Sequence, residues 1–292
     1  MRSLLFVPAD SERKLAKGLG SGADALILDL EDSVAPANKA PARSLAAQFI
    51  TDARSASRTP RLVVRINALD TPWWGDDLSG VIAARPDSIM LPKPRSAEDV
   101  QRLAMALDHA EAAHKIEPGK TRIIAITTET PVAILTMGSY LDVSARLEAM
   151  TWGAEDLSAV VGSSSTREAD GRTWTSPYML ARNLCLMTAV AAGRQPIDTV
   201  YANFRDQQGF AEECRTAARD GFTGKMAIHP DQVAEINAAF TPSAAEIDWA
   251  REIVQLFADH PDAGTIGLRG QMVDRPHLAR AERILARVAA MG

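Results

Sequence analysis

Cysteine is scarce in this chain, and its scarcity limits the covalent and metal chemistry available to the protein. Cys185 and Cys214 are the two cysteines among 292 residues, and neither has a partner at metal-ligand spacing. A disulfide framework or a zinc site usually needs more cysteines, more closely spaced. We therefore expect both thiols to be buried and reduced.

An excess of positive charge and long apolar runs are also missing. The 32 basic residues against 37 acidic ones give a net charge of −5, so the protein has no overall basic field to attract nucleic acid. No apolar stretch is long enough to span a bilayer, and Met1-Arg2-Ser3 leads into a strand-like run rather than a cleavable signal. We expect neither nucleic acid nor a membrane as a partner, and a soluble, cytoplasmic protein.

Eight short apolar runs, separated by helix-length polar and amphipathic stretches, dominate what the sequence does contain. Continuous runs of this kind are typical of parallel strands covered on both faces. The runs are Leu4–Val7, Ala25–Leu28, Leu62–Val64, Ile89–Leu91, Ile123–Ile126, Ala149–Trp152, Thr199–Tyr201 and Met226–Ile228. Their number predicts an α/β fold, a closed (β/α)₈ TIM barrel over residues 1–237. An open, doubly wound sheet is the alternative, but Phe6-Val7-Pro8-Ala9-Asp10 carries no glycine-rich dinucleotide fingerprint.

The pattern changes near residue 238 and predicts a C-terminal helical extension over 238–292. Ala244–Phe257 and Pro276–Ala290 have the character of amphipathic helices. Between them, Asp262–Met272 contains three glycines and is expected to be a flexible lid segment. The extension is too short for a core of its own, so we expect it to pack on the barrel or on a neighbouring subunit.

Acidic residues follow the fifth and sixth predicted strands. In a barrel, Glu129 and Asp156 would come from adjacent strands and reach one mouth, where active sites of this fold collect. Two carboxylates without a nearby histidine or cysteine are hard oxygen ligands suited to Mg²⁺ or Mn²⁺. The alternative is that each acid only caps the helix that follows it.

Arg65 closes the third run, where a buried guanidinium needs an anion to offset its desolvation. It can form a structural salt bridge with Glu31 or Asp32, contact a substrate carboxylate or enolate oxygen, or do both. Glu31 and Asp32 belong to a dense acidic loop whose members would repel one another unless Arg65, Lys93 or a bound cation neutralised them. We expect these two acids to lie behind the substrate-contacting residues.

Several motifs along the chain resemble the citrate lyase beta-subunit-like family, which includes citramalyl-CoA and malyl-CoA lyases within the aldolase/citrate lyase superfamily. The resemblance covers essentially the whole chain. It is carried by Arg2–Pro8, Ser21–Pro36, Val64–Asn67, Leu91–Lys93, Glu129–Pro131, Gly153–Leu157, Gly224–Pro230, Phe240–Ser243 and Gly270–Asp274.

The resemblance implies a (β/α)₈ barrel assembled as a homotrimer or hexamer, with Mg²⁺ held by Glu129 and Asp156. It implies that Arg65 contacts a substrate oxygen and that the segment containing Glu155 and Asp156 seats the substrate carboxylate. It also implies that Asp274 is the catalytic acid or base, carried by a lid. Without the resemblance, Asp274 would be interpreted as a helix cap before Arg275-Pro276.

By position in the family, Lys17 and His229 are candidates for contacting coenzyme A. Lys17 would offer positive charge to a phosphate, although solvated lysines are common on an outer helix. His229 is equally consistent with holding a loop.

The implied reaction is carbon–carbon cleavage of a 3-hydroxyacyl-CoA thioester to acetyl-CoA and a 2-oxo acid, or the reverse Claisen condensation. One alternative is a citryl-acyl-carrier-protein lyase subunit of citrate lyase. Another is a malyl-CoA thioesterase, or a non-catalytic protein that binds a 2-oxo acid.

Overall fold

Eight parallel strands close into a barrel in the computed structural model, which describes residues 1–55 and 60–289. Each strand pairs with the next, and the first pairs with the last. The strands are β1 Ser3–Pro8, β2 Ala25–Asp29, β3 Arg61–Arg65, β4 Ser88–Leu91, β5 Arg122–Ile126, β6 Leu147–Thr151, β7 Gln195–Asp198 and β8 Gly224–Ala227. The predicted (β/α)₈ fold is confirmed.

Helices follow the strands along the chain. They are α1 Glu12–Leu19, α2 Lys39–Ala53, α3 Trp74–Val81, α4 Ala97–Ala113, α5 Pro131–Leu135, α6 Glu155–Val161, α7 Ser176–Ala191, α8 Gln207–Asp220 and α9 Val233–Ala239. Short 3₁₀ turns lie at Pro36–Asn38, Ile82–Ala84, Met137–Asp142 and Pro230–Gln232. Cys185 on α7 and Cys214 on α8 are buried free thiols, as expected, and burial raises the pKa of each to about 12.

The barrel interior is filled by apolar side chains from alternate strand positions. Leu4, Ile27, Val63 and Met226 belong to this fully or almost fully buried cluster. At the amino ends of the strands, Arg61 on β3 forms an ion pair of 2.8 Å with Glu148 on β6. Because side chains alternate along a strand, Arg65 at the other end of β3 lies on the same face as Val63.

The seventh strand is four residues earlier than the sequence predicts. Thr199–Tyr201 follows the carboxyl end of β7, and the strand itself contains Pro196 and Asp198. Asp198 is almost completely buried because the ammonium of Lys225 on β8 lies 2.6 Å from its carboxylate and the indole N–H of Trp152 donates to it. Strand β7 therefore lacks a continuous apolar run, because one of its buried positions is a charged residue with its own partner.

Close packing of β8 against the amino terminus makes Gly224 sensitive to substitution. A Cβ atom there would lie 2.5 Å from the carbonyl oxygen of Met1 and 2.8 Å from that of Arg2. We expect Gly224→Ala to destabilise the fold by about 1–3 kcal/mol, since backbone atoms on both strands must move. Urea denaturation would measure this loss. Gly75→Ala, in open space on α3, is the control and should be neutral or slightly stabilising.

The chain divides into two compact units, Met1–Asn237 and Ala238–Gly292. The second contains α10 Ala244–Asp259, β9 Thr265–Leu268, β10 Gln271–Asp274 and α11 Arg275–Ala289. Ile253, Phe257, Val273 and Ile284 are members of its own apolar cluster. The expectation that the extension has no core of its own is therefore wrong, because two helices and a hairpin together bury these side chains.

The segment predicted to be flexible is an antiparallel hairpin of β9 and β10. Its two-residue turn is Arg269-Gly270, and both residues have positive φ, 50° and 78°. Positive φ at both central positions is the mark of the type I′ turn that matches strand twist. Gly270, one of the three glycines on which the prediction of flexibility was based, thus forms a tight turn. Within the described ranges, no helix has the length and apolarity needed to cross a membrane.

Candidate active site

Arg65 and Asp29 form the centre of the polar cluster at the carboxyl ends of the strands. They are paired positions on β3 and β2, so their side chains project from neighbouring strands. Arg65 donates from Nε and Nη2 to the two oxygens of Asp29, each at 2.7 Å. The guanidinium also lies 4.8 Å from the centre of the Phe6 ring. A forked ion pair of this kind fixes the guanidinium plane.

The acidic loop after β2 surrounds this ion pair. Glu31 is buried, and its Oε2 lies 2.9 Å from Arg65 Nη1, whereas Asp32 is exposed and 3.9 Å away. Burial alone would raise the pKa of Asp29, but its bonds with Arg65 hold that pKa below the ordinary value. Burial raises the pKa of Glu31 despite the opposing charges of Arg65 and Lys93. Desolvation of the buried Glu31 carboxyl thus outweighs the two cations that contact it.

Lys93, which is not among the site residues predicted from the sequence, links the acidic loop to the two proposed metal ligands. Its Nζ lies 2.6 Å from Glu31 Oε1 and 3.3 Å from Asp156 Oδ1. Its backbone N–H donates to Glu129 Oε2 at 2.5 Å. Lys93 has a φ of 52°, a left-handed conformation that costs energy for a non-glycine residue and is often found at functional sites. The signal in the sequence was a lysine directly after a strand, in Leu91-Pro92-Lys93.

Glu129 lies in the loop after β5, and Asp156 lies in the first turn of the helix that follows β6, both beyond the carboxyl ends of their strands. Glu129 is 3% exposed, whereas Asp156, in the first turn of α6, keeps a third of its side chain accessible. Burial, together with the negative charges of Glu31 and Asp156, raises the pKa of Glu129 well above its ordinary value. Among the described residues no ammonium or guanidinium lies within ion-pair distance of the Glu129 carboxylate. Within the described residues, the Glu129 carboxylate therefore has no direct cationic partner, and the Asp156 carboxylate has one, Lys93.

Gly153 and Thr128 shape the space around Glu129. A Cβ on Gly153 would lie 2.9 Å from Glu129 Cγ, so only glycine leaves room for this side chain. The Thr128 hydroxyl accepts from the Gly153 N–H at 3.0 Å and ties the two loops together. Glu155, exposed at the start of α6, has no ion-pair partner in the described parts of the chain.

The donor set fits a hard divalent cation. Residues 1–55 and 60–289 contain no group of three or more histidine, cysteine, aspartate or glutamate side chains placed to hold a metal. The two carboxylates would therefore leave several positions to water and substrate, as Mg²⁺ sites commonly do. A bound ion would stabilise the ionised form of Glu129, which burial otherwise disfavours.

Lys17 and His229 lie on one cavity of about 470 Å³ between β1, α1 and the loop after β8. Arg13 and Lys14 line the same cavity. His229 Nδ1 accepts a hydrogen bond from the Asp231 N–H, and its ring stacks on Phe204 with centroids 5.0 Å apart. His229 thus holds its loop as well as lining the cavity.

Asp274 belongs to the second unit, where it ends β10. Its Oδ1 lies 2.5 Å from Nδ1 of His277, one turn further along on α11. This hydrogen bond lowers the pKa of Asp274, whose side chain is 44% exposed. The sequence pattern did not single out His277.

The fold and the site together define a (β/α)₈-barrel protein with paired carboxylates and a fixed arginine at the carboxyl ends of its strands, where barrel enzymes carry out their chemistry. The sequence profile of the HpcH/HpaI aldolase/citrate lyase family matches residues 2–230. The chain belongs to this family.

Relatives match along the whole chain. Mitochondrial citramalyl-CoA lyase of Mus musculus is 33% identical, and the match covers 97% of this chain and 85% of the relative. Citrate lyase subunit beta of Escherichia coli K12 is also 33% identical, with 100% and 94% covered. The crystal structure of CitE from Mycobacterium tuberculosis in complex with magnesium, acetoacetate and coenzyme A is 35% identical, covers 99% and 98%, and has a TM-score of 0.79.

Proposed function

We propose that this protein is a Mg²⁺-dependent carbon–carbon lyase, with Mn²⁺ as the alternative ion. Its substrate would be a 3-hydroxyacyl-CoA thioester of the citramalyl-CoA or malyl-CoA type, cleaved to acetyl-CoA and a 2-oxo acid or formed from them. The observation that carries the proposal is the convergence of Arg65, Glu129 and Asp156, through Glu31 and Lys93, at one end of the barrel. The names of the relatives support the reaction class.

Each protein group has a defined task in cleavage. Glu129 and Asp156 would hold the ion, which when bound supplies Lewis acidity to the substrate hydroxyl and carboxylate. Arg65, fixed by Asp29, places positive charge where the hydroxyl oxygen becomes a carbonyl. The ionised carboxylate of Asp274, whose pKa is lowered, takes the proton of the substrate hydroxyl as that oxygen becomes a carbonyl. The bond between the α and β carbons breaks, its electrons move to the thioester α-carbon, and Asp274 returns the proton to that carbon to complete the acetyl methyl group.

For Asp274 to act, residues 238–292 must serve as a lid over the barrel, 1–237, of the same or a neighbouring subunit. We propose a homotrimer or hexamer in the cytoplasm. Leu135 on α5 and Met187 on α7, which are 86% and 68% exposed, are large apolar side chains of the kind that subunit interfaces cover. Analytical ultracentrifugation would report the assembly.

Coenzyme A is the carrier that the cavity near α1 suits. Arg13, Lys14 and Lys17 line it and would offer positive charge to phosphates, and His229 lines the same cavity. The second candidate, a citryl-acyl-carrier-protein lyase subunit, is favoured by the similarity to citrate lyase subunit beta and would use the same catalytic residues. A malyl-CoA thioesterase would cleave the thioester instead of the carbon–carbon bond.

A substrate panel tests these alternatives. The protein would be incubated with Mg²⁺ and citramalyl-CoA, malyl-CoA or citryl-acyl-carrier protein, scoring acetyl-CoA, free CoA and 2-oxo acid. We expect acetyl-CoA with pyruvate or glyoxylate, and no turnover in EDTA. Release of free CoA would indicate the thioesterase, and turnover of citryl-carrier protein alone would indicate the second candidate. Turnover that persists in EDTA would contradict the proposed mechanism.

Gly153→Ala should disturb the ion site without changing either carboxylate. The added methyl group would press on Glu129 Cγ and on Ile126 Cγ2, 3.3 Å away, and move the carboxylate from its place. We expect the Kd for Mg²⁺, measured by isothermal titration calorimetry, to rise at least about tenfold, the effect of ~1.4 kcal/mol. Gly138→Ala, in open space, is the control and should bind Mg²⁺ as the unmodified protein does. An unchanged affinity in Gly153→Ala would argue against Glu129 as a ligand.

A further inference from the structure

Lys93 contacts both proposed metal ligands through two different groups. Its backbone N–H bonds to Glu129, and its ammonium pairs with Asp156 and Glu31. The backbone contact depends on the left-handed conformation, whereas the ammonium stands at the end of a flexible stem that is 26% exposed. The two contacts can therefore be broken independently.

Positive charge is in short supply around this residue. The cluster holds the carboxylates of Asp29, Glu31, Asp32, Glu129 and Asp156. Arg65 is committed to Asp29 and Glu31, with Asp32 at the edge of its reach. In the part of the chain that the structure describes, Lys93 is the one cation within 4 Å of Asp156.

We propose that the Lys93 ammonium holds Asp156 in the place of the divalent cation while the metal is absent, and leaves that carboxylate when the metal binds. The inference rests on the proposed Mg²⁺ site. A carboxylate oxygen that ligates a small dication is a poorer partner for an ammonium, because the two positive charges repel each other at short distance. The ammonium can retreat to Glu31 and Asp32, 2.6 and 3.4 Å away. The backbone N–H keeps Glu129 oriented in both states.

Competition between Lys93 and the ion, and support of the site by Lys93, predict opposite effects of removing this side chain on the Kd for Mg²⁺. If Lys93 only supported the site, its removal would weaken Mg²⁺ binding. If it competes with the ion, Lys93→Met removes a positive charge from beside the site and lowers the Kd for Mg²⁺ by about tenfold. Lys93→Arg, which keeps the charge, should not tighten binding. The metal-free Lys93→Met protein should melt at a lower temperature, and Mg²⁺ should raise its Tm by more than that of the unmodified protein.

Isothermal titration calorimetry with MgCl₂, together with thermal melts with and without Mg²⁺, tests this on the whole protein. Lys93→Gly is the second variant: it removes the same ammonium, relieves the left-handed backbone, and should also bind Mg²⁺ more tightly. Lys120→Met, on the surface beside Glu117, is the charge-matched control and should leave the Kd unchanged. Absence of Mg²⁺ binding in the unmodified protein would refute the proposed site. If the unmodified protein binds Mg²⁺ but Lys93→Met and Lys93→Gly both bind it with an equal or higher Kd, the proposal for Lys93 is wrong and the proposed Mg²⁺ site still stands.

Discussion

Replacing Glu129 by glutamine is expected to abolish measurable Mg²⁺ binding and to lower kcat for acyl-CoA cleavage by about a thousandfold, or ~4 kcal/mol. The amide keeps the shape of the side chain but loses the negative charge that an ion requires. Because burial and neighbouring carboxylates raise the pKa of Glu129, the neutral form already suits the metal-free fold. We therefore expect Glu129→Gln to fold with an unchanged or higher Tm.

The same raised pKa predicts proton release on Mg²⁺ binding. The metal-free Glu129 carboxyl keeps its proton to higher pH than an ordinary glutamate, whereas the ion binds only the ionised form. Mg²⁺ affinity should thus fall as the pH is lowered through this pKa. Calorimetry in two buffers of different ionisation enthalpy measures the proton. Glu148→Gln, at the opposite end of the barrel, is the control and should keep both binding and proton release. Full turnover by Glu129→Gln would contradict the proposed metal site.

Arg65→Met is expected to cost about 3–5 kcal/mol of unfolding free energy, because it leaves Asp29 buried without its guanidinium partner. It should also lower kcat at least about a hundredfold through loss of positive charge at the developing carbonyl oxygen. Urea denaturation and steady-state kinetics measure the two effects. The matched control is Arg61→Met, four residues earlier on β3, where the half-exposed pair with Glu148 contributes less.

The loss of unfolding free energy in Arg65→Met should depend on pH. Arg65 keeps the folded-state pKa of Asp29 below its ordinary value, so this pair stabilises the fold at pH above that ordinary value and less as the pH falls through the lowered one. In the variant, burial instead favours the protonated acid. The difference between the two proteins should therefore be larger near pH 7 than near pH 4. Adding Asp29→Asn to the variant should recover part of the loss, and no recovery would show that Asp29 is not the cause.

The strands that sequence patterns located were those whose buried positions are apolar. β2, Ala25–Asp29, is buried at every position and is apolar until its last residue. β7 has one aliphatic side chain, Ile197, and its buried Asp198 is neutralised by Lys225 from the next strand. An apolar pattern along the chain contains no information on such a partner. Strand β7 was therefore placed four residues too late.

Some features of the candidate site could likewise be predicted from the sequence, and others could not. The positions of Arg65, Glu129 and Asp156 at one rim could be predicted because each lies within four residues after a strand-like run, and strand ends meet at one face of a barrel. Lys93 could be named as a neutralising cation for the acidic loop, but its contact with Glu129 could not be predicted, because it depends on a left-handed backbone that turns an amide toward Glu129. The bond between Asp274 and His277 depends likewise on where β10 ends and α11 begins. The predicted roles of all the site residues stay predictions, those of Arg65, Glu129 and Asp156 as much as those of Glu31, Asp32, Lys17, Glu155, His229 and Asp274.

Strand β3 carries a guanidinium at each of its ends, Arg61 toward the amino face and Arg65 toward the carboxyl face. The apolar layers between them separate two polar centres with different duties. The ion pair at the amino face can therefore be altered to change the stability of the fold, for instance by exchanging Arg61 and Glu148 for an uncharged pair, while turnover stays the same. Thermal stability can in this way be engineered at the amino face independently of the chemistry at the carboxyl face.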